Sequence, residues 1–80
     1  MENTIKNQIN TIKETYNEFE VGQLYDHGIE LLLPGHSLYI ANEGKEWFYE
    51  ITSNITDRCI VEDYNLSFDN LLEELTTYDI

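Results

Sequence analysis

Glu46, Phe48 and Glu50 alternate with Trp47, Tyr49 and Ile51 along one short stretch of the chain. On an extended strand, residues i and i+2 share a face and stand about 6.6 Å apart. The pattern puts two carboxylates and a ring on one side and an apolar set on the other. That carboxylate interval is close to two phosphate rises of about 3.4 Å along one DNA strand. Anionic groups so spaced, with a flanking ring, match a groove built for nucleic-acid backbone and bases. A plainer reading buries Phe48 beneath a helix and leaves Glu46 and Glu50 in water. Aromatic rings are usually buried, so the plainer placement is the expected one for Phe48.

Other chemistry is not signalled. His27 and His36 have no cysteine beside them and make no zinc spacing. His36 follows Pro34-Gly35 and reads as a solvated loop residue. Neither Ser37 nor Cys59 sits in a nucleophile motif, and there is no Gly-rich phosphate loop. Asp57, Glu62, Asp63 and Asp69 lack the alternating ligands and central Gly of a calcium loop. With no nucleophile and no positioned base, the expectation is a protein that is not an enzyme and holds no metal or cofactor.

The charge balance is the stronger signal. Sixteen Asp and Glu residues face four Lys and Arg in 80 residues, for a net charge of -12 and a pI near 4.1. The chain is nevertheless 41% apolar, with Trp47, three Phe and six Tyr, so it is expected to fold. An acidic coat attracts basic partners and disfavours direct binding to nucleic acid or anionic lipid. No basic residue lies between Glu14 and Glu43, or after Arg58. Near the end, Asp69 and Glu73 form an i,i+4 like-charge pair costing about 0.2–0.5 kcal/mol. Glu74 and Asp79 sit where a helix dipole disfavours anions by roughly 0.3–1 kcal/mol. Charge placed against local stability points to use in binding.

The elements that must position these residues follow from periodicity. Ile5, Ile9, Ile12, Tyr16 and Phe19 predict a helix at about 3–18, capped by Asn3 or Thr4. The stretch Glu20 to His27 is ambiguous between a loop and a short strand. Ile29 to Leu33, Ser37 to Ala41 and Lys45 to Thr52 read as strands joined by turns at Pro34-Gly35 and Asn42-Glu43-Gly44. Arg58 to Tyr64 reads as a fourth strand, with Cys59, Val61 and Asp63 on one side and Arg58, Ile60 and Glu62 on the other. Asn65 or Ser67 opens a last helix at about 67–78, with Phe68, Leu71, Leu72 and Leu75 inward. Asp69, Asn70, Glu73, Glu74 and Thr77 fall outward. The expected fold class is α+β: one domain spanning 1–80, with an N-terminal helix, a three- to four-stranded antiparallel sheet and a C-terminal helix. The lone Cys59, the absence of a basic-then-apolar leader and the short apolar runs suggest a cytoplasmic, membrane-free protein. The isoleucine stripe also offers a homodimer seam.

Taken whole, the chain resembles the small acidic inhibitors of phages and mobile elements, including anti-CRISPR proteins and other DNA mimics. The resemblance is one of kind: length, the order helix–hairpins–helix, and acidic runs around Glu43-Glu46-Glu50 and Glu62-Asp63-Asp69-Glu73-Glu74. It implies occlusion of the basic channel in which an effector nuclease holds DNA. Such effectors read PAM guanines with Arg, and carboxylates accept bidentate bonds from Arg. The partner-binding residues on this reading are Glu43, Glu46, Glu50, Glu62, Asp63, Asp69, Glu73 and Glu74. The alternatives are an antitoxin or immunity protein that neutralises a basic toxin, and a phage structural or assembly module.

Overall fold

The computed structural model describes residues 4–77. The chain runs α1 (Thr4–Thr15), β1 (Glu20–Leu24), β2 (Gly28–Leu33), β3 (His36–Glu43), β4 (Glu46–Ser53), β5 (Cys59–Leu66) and α2 (Phe68–Thr77). The five strands form one antiparallel sheet in sequence order, a meander. The fold is α+β with a helix at each end. The sheet has five strands where three to four were expected, and the addition is β1. Its residues are nearly all exposed, and the register shifts between Val21 and Gln23, so no period-2 signal survives.

Local chemistry explains the turns. Gly35 and Gly44 take φ of 75° and 69°, a region costly for residues with a Cβ. Pro34-Gly35 joins Leu33 to its partner His36. The second turn is Gly44-Lys45, one step later than expected, so Glu43 stays in β3 opposite Glu46. Ser53 organises the longer β4–β5 connection: its Oγ accepts the N–H groups of Ile55 and Thr56 at 3.2 and 3.3 Å. The expected cap of α2 is present, with the Asn70 N–H donating to Ser67 Oγ at 3.2 Å. Asn3 and Asp79 lie outside the described residues.

One face of the sheet is built for the helices. Ile29, Leu31, Leu38, Ile40, Trp47, Tyr49 and Ile51 are buried there. Ile9, Ile12 and Tyr16 from the first helical stripe and Leu71 and Leu75 from the last close the same core. The isoleucine stripe is thus largely used within the chain. Phe68 packs its ring 5.4 Å from that of Trp47. Ile12 of α1 and Leu75 of α2 belong to one core, so both helices cover this face. Two α-helical stripes suffice to cover one face of a small sheet, and no described helix covers the other.

β5 departs from simple alternation twice. Trp47 pairs with Leu66 but Tyr49 with Asp63, so β5 carries an extra residue at Tyr64-Asn65, where Asn65 takes φ of 60°. Ile51 pairs with Val61 but Thr52 with Cys59, so Ile60 is extra. Each bulge resets which side chains face out. Tyr64 therefore turns to the open face while Leu66 stays in the core. Cys59, expected beside Val61, instead joins the open face with Glu62.

Candidate functional site

The uncovered sheet face is the candidate site. Register fixes its contents. Gln23, Glu30, Tyr39, Glu50 and Glu62 pair in succession, making one row across all five strands. Glu43 and Glu46 oppose each other at one end of the face. Between them and the long row lies Phe48, opposite Ala41, which in turn opposes Gly28. Cys59 and Thr52 mark the other end.

An aromatic line crosses this face. Tyr25 meets Tyr39 with ring centroids 5.5 Å apart, Tyr39 meets Phe48 at 5.8 Å, and Phe48 meets Tyr64 at 5.6 Å. These separations lie within the attractive range for tilted or edge-to-face rings. The line exists because Tyr39 and Phe48 alternate with core residues on neighbouring strands, and because the Tyr64-Asn65 bulge turns Tyr64 outward. Phe48 is half-buried among these rings rather than beneath a helix, which corrects the expected placement. Both helices spend their apolar stripes on the opposite face. Two open depressions, about 330 and 340 Å³, flank Phe48. One is lined by Glu43, Glu46, Trp47, Phe48, Tyr64 and Asn65. The other includes Tyr25, Gly28, Tyr39 and Ala41. Gly28 is needed there because a Cβ would stand 2.6 Å from the Ile40 carbonyl oxygen.

The electrostatics are of one sign. No Lys or Arg occurs in any strand. Lys6 and Lys13 lie on α1, Lys45 and Arg58 in connections. Among the described residues no ion pair forms, so the carboxylates of the face are not neutralised internally. Like charges directly opposed on paired strands repel, and this applies to Glu43 with Glu46 and Glu50 with Glu62. Tyr64 donates its hydroxyl to Glu62 Oε2 at 2.7 Å, and that bond to a carboxylate pushes the phenol up to about 12. Local desolvation and the carboxylates of Glu62 and Glu50 push the Cys59 thiol above its ordinary value. Both groups stay protonated at neutral pH, so neither is a ready nucleophile. Donor atoms of Glu50, Cys59 and Glu62 all lie within 4.8 Å of one another. Metal binding there would need the thiolate, which these same carboxylates disfavour.

The eight acidic residues singled out from sequence fall into two groups. Glu43, Glu46, Glu50 and Glu62 share the open face with the aromatic line. Asp63, Asp69, Glu73 and Glu74 do not. Asp63 is paired with core residue Tyr49, and its carboxylate accepts the Tyr64 N–H at 2.8 Å. Asp69 and Glu73 are exposed on α2. Glu74, expected outward, is half-buried and accepts the Tyr49 hydroxyl at 3.0 Å. It sits three residues from Leu71, on the flank of the inward stripe, and a buried phenol needs a partner. Desolvation and a hydrogen bond with the Asp63 side chain raise its pKa, while the Tyr49 hydroxyl opposes the rise. Sequence reasoning missed Tyr25, Tyr39, Tyr64 and Glu30. The signal for Tyr39 was available, since it lies between core residues Leu38 and Ile40. No protein-family model matches the chain, nor does any curated protein or solved structure.

Proposed function

We propose that the chain is a non-enzymatic inhibitor that occludes the basic nucleic-acid-binding surface of a partner such as a defence nuclease. The single observation that carries this reading is the composition of the open face. Glu30, Glu43, Glu46, Glu50 and Glu62 share it with four aromatic rings, and no strand carries a Lys or Arg. Channels that hold nucleic acid combine cationic side chains with surfaces that stack bases. A face offering carboxylates and rings together answers both halves of such a channel. Unneutralised charge of one sign also steers association with a basic partner and makes it sensitive to salt. Binding through this face positions the helices away from the partner.

Capture on immobilised chain tests the reading. Lysate from cells carrying nuclease systems is applied, then challenged with rising salt and with duplex DNA. DNA-binding proteins released by both are the expected result. Partners that resist salt and are not displaced by duplex DNA would overturn it.

A further inference from the structure

The depression between Glu43, Glu46, Phe48 and Tyr64 has a composition that discriminates between kinds of cation. We infer that it is a pocket for an arginine side chain of the basic partner, selective for arginine over lysine. The inference rests on the proposed function, since it names the chemistry that the acidic face would recognise.

Three observations converge. First, the depression is about 330 Å³, ample for one long side chain, and it opens to solvent. Second, one wall is carboxylate. Glu43 and Glu46 oppose each other across β3 and β4, and neither has a cationic partner among the described residues. A guanidinium presents a planar fork of donors that meets such oxygens at more than one point, whereas an ammonium is a compact point charge. Third, the other wall is aromatic. The rings of Phe48 and Tyr64 stand 5.6 Å apart and are tilted by only 37°, so they make a shared wall rather than a crossed pair. Guanidinium stacks on ring faces and is more weakly hydrated than ammonium, so it gives up less to do so. The Asn65 backbone, held at φ of 60° in the bulge, is what sets Tyr64 beside Phe48. Charge complementarity thus selects a cation, and the ring wall selects a planar one.

Titration of the isotope-labelled full chain with hexa-arginine and hexa-lysine peptides at low ionic strength tests this. Hexa-arginine is expected to shift the amides of Glu46, Phe48, Tyr64 and Asn65 and to bind about two- to fivefold tighter than hexa-lysine, the ratio a ring contact at an exposed site supplies. Phe48→Leu is expected to reduce that ratio toward one while keeping affinity for hexa-lysine. Tyr64→Leu, an exposed edge position, provides the same reading if the first variant does not fold. Equal affinity for the two peptides overturns the arginine pocket and leaves the acidic-face function standing. Shifts centred on Asp69 and Glu73 instead overturn the location. Failure of both peptides to bind removes both the pocket and the function on which it rests.

Discussion

The two faces of the sheet are made from the same strands and do opposite things. On the helix-covered face, Leu31, Leu38, Ile40 and Tyr49 are fully buried and almost every contact is apolar. On the open face, rings touch one another but carboxylates surround them, and directly opposed Glu pairs repel. One side is arranged for stability, and the other keeps like charges at a cost in stability. The difference teaches that the negative surface has two populations. Carboxylates on the open face stand beside apolar rings without neutralising partners. Those near α2 are dispersed over the helix or, in Glu74, committed to a hydrogen bond within the fold.

That contrast is open to attack from either side. The largest effect belongs to the covered face: Leu71→Ala should lower unfolding stability by about 2–5 kcal/mol, read from the denaturant midpoint. A loss under about 1 kcal/mol would mean that the helices do not hold the core. On the open face, combining Glu46→Gln, Glu50→Gln and Glu62→Gln should slow association with a captured basic partner about tenfold and flatten its salt dependence. The same variant should be at least as stable as the parent. Losing stability without losing binding would reverse the assignment of the two faces. Asn65→Ala forces a Cβ residue less suited to the left-handed region and should cost about 1 kcal/mol. It should also weaken hexa-arginine binding, since Tyr64 loses its placement; unchanged affinity would separate bulge from pocket.

The smallest expected effect concerns pH. The Glu74 pKa is raised in the folded chain, so folding favours its protonated form. The stability from this group is present below its unfolded pKa and is lost as pH rises through the folded one. Glu74→Gln should therefore raise the melting temperature slightly at neutral pH and reduce the gain seen on mild acidification. A melting temperature that falls equally at all pH values would show that the carboxylate is needed as an acceptor for Tyr49.

Much of the covered face was legible in the sequence. The alternation at Trp47, Tyr49 and Ile51 named the core side of β4 correctly, and Ser67 marked the start of α2. Half-buried strands and capped helices write their pattern within a few residues, so a local reading recovers them. The open face was less legible for a physical reason. Which side of Phe48 is covered depends on where both helices dock, a decision made far away in the chain. Bulges at Ile60 and Asn65 then break the two-residue period that would have located Cys59 and Tyr64. β1 escaped for the same cause, with Gly22 interrupting a short and exposed segment.

All three register shifts fall on the two outer strands, β1 and β5, while β2, β3 and their pairing stay regular. An outer strand presents unpaired backbone groups on which another chain can polymerise. Irregular backbone denies such a template, and Glu20, Glu62 and Asp63 add repulsion along the same two borders. The second safeguard depends on charge and the first does not. Near the pI of about 4.1, where the net charge vanishes, the kinked borders would still stand between this chain and edge-to-edge aggregation.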